Sequence, residues 1–376
     1  MFQSYLMGGF ECSTQRNRKK GRIDVIAATR HDEFAVRDYE RLLSVGMRTA
    51  RDGVRWHLIE KTPFEYDFSS LENQANAAAA TGIQVIWDLF HYGFPDDLDI
   101  FSPEFIARFA AFSAATVKFL QSKSKQTLYI CPTNEVSFFA WIAGDVAGFY
   151  PFKRKRGDEL KMQLVRATIA AIDAIRAIAP ATRFVQTDPA IRVAPANKKP
   201  QTIIDAANYH DSQFHAFDIL TGRRAPIVGG AEKYLDVIGI NYYFNNQWQH
   251  PSGRRIYRHH KGYQPFHEIL ESLYRRYRRP ILIAETGIEN EARAHWFEYI
   301  YAQANIAKSN GADIAGLCLY PIVNHPGWDD NRHCHNGLWG YTDDAGEREI
   351  YAPLAQEIAK TGEFKLKTGD ARVMSA

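Results

Sequence analysis

The chain has 376 residues, 45% apolar, 24% charged and 13% aromatic, with a formal net charge of +3. This balance is ordinary for a soluble globular protein, and so small a charge gives no sign of a nucleic-acid partner. No apolar run approaches the roughly 20 residues of a membrane span. The start, "MFQSYLMGGFECS", lacks the basic region and sustained apolar stretch of a signal peptide. Cys12, Cys131, Cys318 and Cys334 are far apart and form no CxxC pair, so they read as small buried hydrophobes in a reducing, cytoplasmic setting.

Short β-rich runs alternate with longer helical ones eight times. The predicted strands are Ser4–Glu11, Thr49–Trp56, Gln84–Phe90, Thr127–Glu135, Arg183–Pro189, Asp236–Tyr243, Ile281–Gly287 and Ile314–Pro321. Several are nearly continuous apolar runs, as in a parallel sheet covered on both faces. Between them, helix-spaced apolar positions mark "DEFAVRDYERLLSVG", "PEFIARFAAFSAATVKFLQS", "DELKMQLVRATIAAIDAIRAIAP" and "ARAHWFEYIYAQANIAKSNG". Gly46, Gly82 and Gly311 stand where helix C-caps are wanted, and Ser102-Pro103 reads as an N-cap and first turn. Eight such units without a linker predict a single-domain (β/α)8 TIM barrel over residues 1–361, with 362–376 as a tail open to disorder. A doubly wound open sheet is the rival architecture, but there is no GxGxxG or P-loop.

A barrel takes about 250 residues, so the remainder falls to insertions, expected at Pro189–Pro200, Asn245–Pro265 and Asn324–Glu349. Two basic clusters, Lys153–Arg156 and Arg275–Arg279, read as a solvated loop and a helix C-terminus favoured by the helix dipole. The rival reading is contact with an anionic partner, a lipid surface or a polysaccharide.

Catalytic groups of such barrels project from the carboxyl ends of the strands. Those ends carry Glu11, Arg55, His91, Asn134, Glu135, Asp188, Asn241, Tyr243, Glu285 and Tyr320. Glu135 and Glu285, on the fourth and seventh strands, would face one mouth from opposite sides. Two carboxyl groups flanking a pocket suit glycosidic bond cleavage, one protonated to release the leaving oxygen and one ionised to meet the anomeric carbon. The alternative is a pair of rim salt bridges. Asn134, beside Glu135, would donate to a sugar 2-hydroxyl. Adjacent His333, Cys334 and His335 lack a second ligand cluster with zinc-like spacing, so no metal and no cofactor are expected.

"PTNE" resembles the acid/base motif of family 1 glycoside hydrolases, the β-glucosidase and β-galactosidase type, and "ETG" resembles their nucleophile motif with Thr286 in place of the usual Asn. "LFHYGFPDDL", "DVIGINYY", "GVRW", "LYPIVNHPGWDD" and "NGLWGYTDD" are similar to further segments of the family in the same order, from about Gly8 to Tyr351. The resemblance implies a retaining β-glycosidase on a TIM barrel, with Glu285 as nucleophile and Glu135 as acid, then base. It implies His91 as a sugar ligand, Tyr243 in contact with the nucleophile, and Arg55 as the arginine under it. Trp328 would stack on the substrate, a β-glycoside or oligosaccharide. An endo-acting glycanase, a transglycosidase or a non-catalytic carbohydrate-binding barrel are the alternatives.

The sequence departs from the family at three sugar-binding positions. Glu11 stands near an expected glutamine, Tyr320 replaces a tryptophan platform, and Gly327 falls where a glutamate is usual. The last change implies a terminal sugar other than plain glucose, with His325 and Arg332, or Asp329 and Asp330, as the replacement contacts.

Overall fold

The computed structural model describes residues 1–330 and 332–362. Eight parallel strands close into a barrel: β1 Leu6–Gly9, β2 Thr49–Gly53, β3 Gln84–Asp88, β4 Tyr129–Cys131, β5 Arg183–Pro189, β6 Val237–Asn241, β7 Ile281–Thr286 and β8 Ile314–Leu319. Neighbours in the chain pair with one another, and Met7 opposite Cys318 closes the ring. Every predicted strand is present. The observed ones stop short of the predicted carboxyl ends at all but β5, because there the chain turns away to build the mouth.

The barrel helices are α1 His31–Ser44, α2 Ser69–Thr81, α3 Pro103–Lys123, α4 Gly157–Ile178, α5 His215–Leu220, α6 Phe266–Tyr277, α7 Arg293–Ser309 and α8 Ala352–Ala359. A further helix, Pro200–Asp211, lies in the segment between β5 and α5. Ser102 Oγ caps α3, accepting from Phe105 N at 3.3 Å. Gly82 ends α2 at φ 71°, a left-handed geometry that glycine adopts at little cost. Strand alternation sends Met7, Ile86, Val185, Val237, Leu282 and Cys318 into the lumen, and their neighbours outward onto the helices. The lumen is thus a packed core, with Thr49 and Gln84 hydrogen-bonded at the amino ends and the charged groups near the carboxyl ends.

Two of the predicted insertions join. Arg192–Pro195 pairs in parallel with Gln247–His250, roofing one side of the mouth. The third forms two antiparallel pairs, His325–Pro326 with His333–Cys334 and Trp339–Thr342 with Arg348–Ile350. A further loop that composition did not announce runs from Val136 through a π-helical turn, Ala140–Asp145, to Arg156. The expected tail lies, from residue 363, outside the described residues.

The seam between α1, β2 and the C-terminal hairpin is ionic. His31 is fully buried between Asp38, 2.9 Å from Nδ1, and Asp52, 2.9 Å from Nε2, with Phe10 stacked on the imidazole. Tyr39 donates to Asp52 at 2.6 Å and Arg348 to Asp38 at 2.8 Å. Burial pushes the imidazole toward neutrality, but Asp52 and Asp38 together outweigh it and hold its pKa up at about 9. A pKa raised in the folded state gives stability that is complete below the unfolded value and lost as pH climbs through the folded one. The span from 6.5 to about 9 is worth on the order of 3 kcal/mol. Denaturant titrations should show wild type losing about that much, relative to His31→Gln, between pH 6 and pH 9.5. A constant difference across that range would rule the ion pair out as the cause.

Candidate active site

At the carboxyl ends of the strands lies a cavity of about 1320 Å³. Glu11, His91, Glu135, Tyr243, Glu285 and Trp328 all line it. The two glutamates thus open onto one space, as their strand positions require. Glu135 follows a break in β4: the chain leaves the sheet after Cys131 and regains it through a single bridge between Asn134 and Thr187. Its backbone is left-handed at φ 47°, rare for a residue with a side chain, and is held by Glu135 N donating to Thr187 O at 3.1 Å. The distortion aims the carboxyl group across the mouth.

Glu285 ends β7. Arg51 Nη1 donates to its Oε1 at 2.6 Å, and the Tyr243 hydroxyl donates to its Oε2 at 2.8 Å. Arg51 is fully buried and reaches three further oxygens: Ala284 O at 3.2 Å, Asp88 Oδ2 at 2.7 Å and Asn134 Oδ1 at 2.7 Å. Glu135 has no guanidinium. Its Oε2 accepts from the Tyr92 hydroxyl at 2.5 Å, and that hydroxyl in turn accepts from Asn134 Nδ2 at 3.1 Å.

Burial drives both carboxyl pKa values up. At Glu135 burial acts first, the Glu285 charge adds to it, and Tyr92 and Asn241 only partly oppose them, giving about 8. At Glu285 burial is countered by Arg51 and then His91. A proton shared by the pair therefore resides on Glu135, because only Glu285 has a fixed cation beside it.

Arg55 is a correction. It does not lie under Glu285 but pairs with Asp32 at 2.8 Å and Asp24 at 3.2 Å. The reason is the strand end: β2 stops at Gly53, and Arg55 begins the helical turn Trp56–Ile59 outside the lumen. Arg51, two side chains earlier on the inward face, takes the expected place. The sequence did carry its signal, a lone arginine in the middle of a buried strand.

Asn134, Asn241 and Tyr320, expected among the substrate-binding residues, are not among those that line the cavity; their side chains lie behind its wall. Asn134 and Asn241 are fully buried, joined through Asn241 Nδ2 and Asn134 Oδ1 at 3.3 Å. Tyr320 is 1% exposed, its ring 5.1 Å from the Arg51 guanidinium carbon and parallel to His91. A tyrosine there is too short to reach the surface that a tryptophan platform would supply. Tyr92 was missed although it adjoins His91; nothing in a run of aromatics distinguishes one whose hydroxyl meets a carboxylate.

His91 reaches Asp88 with Nδ1 at 3.1 Å and accepts at Nε2 from Asn134 at 3.1 Å. Cys12 Sγ, Asp88 and His91 are the one cluster of metal-type donors among the described residues, all within 4.8 Å. The charge a metal would bring is already present, because Arg51 occupies the same Asp88 oxygen. Burial also pushes the Cys12 thiol pKa up. The three side chains are joined in a hydrogen-bonded network, with Asp88 Oδ1 left without a partner among the described residues.

At Gly327 the Asp330 carboxylate occupies the space that a side chain would enter. Arg332 makes two hydrogen bonds to Glu289, at 2.5 and 2.7 Å, and lies 3.6 Å from Asp330. His325 is tied to Pro326 O and Asn336. Trp328 packs edge-on against Tyr92 and Phe149, with its indole nitrogen unpartnered.

No protein family and no curated protein matches the sequence. Solved structures do match. A β-glucosidase from Thermotoga maritima, in complex with glucoimidazole, superposes with a TM-score of 0.75 at 15% identity over 96% of this chain and 99% of its own. A family 1 β-glucosidase from Thermotoga maritima gives 0.73 at 15% identity over 98% and 99%. The virulence factor SghA, in complex with its substrate analogue salicin, gives 0.75 at 17% identity over 97% of each. The chain has the fold of the family 1 β-glucosidases along nearly its full length.

The Arg51 correction has a measurable consequence. Arg51→Met should strand Asp88 and Glu285 unpaired, costing about 3–5 kcal/mol in stability. It should also displace the pH dependence of any Glu285-dependent chemistry. Arg55→Met, which breaks partly exposed pairs, should leave that pH dependence unmoved. Equal shifts in both variants would restore Arg55 to the site.

Proposed function

We propose that the protein is a retaining β-glycosidase. The observation that carries this reading is the asymmetry of the glutamate pair: an ionised Glu285 held by Arg51 shares one cavity with a Glu135 kept protonated by burial and by Glu285 itself. Glu285 attacks the anomeric carbon while Glu135 gives its proton to the departing oxygen. Glu135, now ionised, then takes a proton from water, which releases the sugar from Glu285. Tyr243 orients the nucleophile and Tyr92 the acid, each by donating to one carboxylate oxygen. The fold shared with β-glucosidases supports the same reading, and the sugar-bound neighbours support a carbohydrate substrate.

Replacing Glu285 by Ala should abolish turnover of every glycoside. Replacing Glu135 by Ala should cost roughly 10²–10⁴ in rate on poor leaving groups and far less on activated aryl ones. Equal losses on all leaving groups would contradict the assignment. Because Glu135 must be protonated to act, kcat/KM should fall as pH rises through about 8. Tyr92→Phe removes a donor that favours the ionised form, so that limb should move to higher pH.

The finer specificity rests on Gly327. The Asp330 carboxylate fills part of the space where the resemblance places a glutamate, but it comes from a different backbone position and lies beside Arg332. A misplaced charge-assisted hydrogen bond is worth about 1.5–3 kcal/mol, or roughly 10- to 150-fold. In a panel of aryl β-glycosides the plain glucoside should therefore not be the best substrate. A glucoside that outperforms the panel would show that Asp330 restores the contact.

A further inference from the structure

The charges of this protein are unevenly matched. The second basic cluster is mostly engaged near α6: Arg276 bonds Asp218, Arg279 bonds Glu232 and Leu235 O, Arg275 lies 3.5 Å from Glu271, and Arg278 rests on the Tyr274 ring. Three segments at the mouth behave differently. Among the described residues, no carboxylate lies within 4 Å of Lys153, Arg154 or Lys155 in the loop after β4. The same holds for Lys198 and Lys199 after β5, and for Arg254, Arg258 and Lys261 after β6. All eight are exposed. From Val237 to His267 the sequence has no acidic residue at all.

The same three segments also expose apolar groups. Trp141 and Val146 stand out on the first, Ile203, Ile204 and Tyr209 on the second, Phe244 and Tyr257 on the third. They hold more than half of the large apolar side chains exposed among the described residues. The segments meet around one wing of the cavity, which Trp141, Tyr209, Phe244 and Arg255 line. Their carboxylates are turned to local work. Asp145 caps Gly157 N at 2.7 Å, Asp211 lies 3.6 Å from His215, Asp205 accepts from Gln201, and Asp158 sits in the first turn of α4, where the helix dipole favours it.

Unpaired lysines and arginines interleaved with tryptophan, tyrosine and isoleucine are the chemistry of a protein surface that seats itself on anionic lipid. A soluble acidic glycan would use the cations and some of the aromatic rings, but it leaves Val146, Ile203 and Ile204 exposed to water without a partner. We propose that this mouth face docks on an anionic membrane surface, with the cavity wing opening toward the lipid. Taken with the glycosidase reading, on which this last step rests, the leaving group it favours is amphipathic and lipid-anchored.

Binding is tested apart from catalysis, by co-sedimentation of the full chain with phosphatidylcholine vesicles, with and without phosphatidylserine. Binding should require phosphatidylserine and weaken steeply between 50 mM and 500 mM salt. Neutralising Lys153, Arg154 and Lys155 to Gln, or Arg254, Arg258 and Lys261 to Gln, should each weaken it on the order of 100-fold. Ile203→Ser with Ile204→Ser should weaken it at unchanged charge. Hydrolysis of a soluble aryl glycoside should be unchanged in all three variants, so failure of the glycosidase reading would appear there and not in the vesicle assay. No binding to phosphatidylserine vesicles, equal binding to neutral ones, or retention on heparin without vesicle binding would each overturn the proposal. The wild-type salt titration decides the matter even if a variant does not fold.

Discussion

One guanidinium, fully buried near the top of the barrel lumen, organises this site. Arg51 meets Asp88, Glu285, Asn134 and the Ala284 carbonyl from one side chain. A lysine would offer a point charge there; the planar fork of arginine fixes several oxygens at defined angles at once. The surrounding charge is unbalanced on purpose of geometry: Asp88 and Glu285 share a single cation, while Glu135 and Glu11 lie on the same cavity without one. Burial raises the pKa of both Glu135 and Glu285, and the Glu285 charge raises that of Glu135 further. The proton stays on Glu135, which has no cation beside it, so the asymmetry of the two glutamates follows from where one arginine stands.

A hydrogen-bonded chain couples the two sides. From Glu285 it runs through Arg51 to Asp88 and His91, then through Asn134 and Tyr92 to Glu135. Asn134 is its centre, with the amide oxygen accepting from Arg51 and Thr187 and the nitrogen facing His91 and Tyr92. Although Arg51 Nε and Asp88 Oδ1 find no partner among the described residues, networks of this kind hold side chains in defined orientations. They also account for the cost of the left-handed backbone at Glu135, which the surrounding contacts over-determine.

The barrel was legible because the eight strands are both apolar and punctuated, and because helix caps at Ser102 and Gly82 carry local chemistry that tertiary structure did not override. The glutamate pair was legible for the same reason: each ends a strand. What the pattern hid is depth. Arg55 and Arg51 have the same parity on the strand, so only the position of the strand end, Gly53, decides which one points inward. Asn134, Asn241 and Tyr320 likewise sit at strand ends, but one layer below the cavity surface. Periodicity reports which face a side chain takes and not how far along the axis the solvent begins.

The two basic clusters make the complementary point about surfaces. They look alike in sequence, and the reading of both as solvated charge suits the second, where Arg276 and Arg279 find Asp218 and Glu232 on neighbouring segments and Arg275 finds Glu271 one turn back on α6. Lys153–Lys155 have no such partners within 4 Å among the described residues, because the carboxylates of the loops around them, Asp145, Asp205 and Asp211, are engaged locally. Paired surface charge contributes little to stability, and unpaired like charge works against the folded state, so gathering it on one rim costs stability. That cost is compensated only when something anionic arrives. The interior and the rim are thus governed by opposite imbalances, excess negative charge around the glutamates and excess positive charge at the mouth.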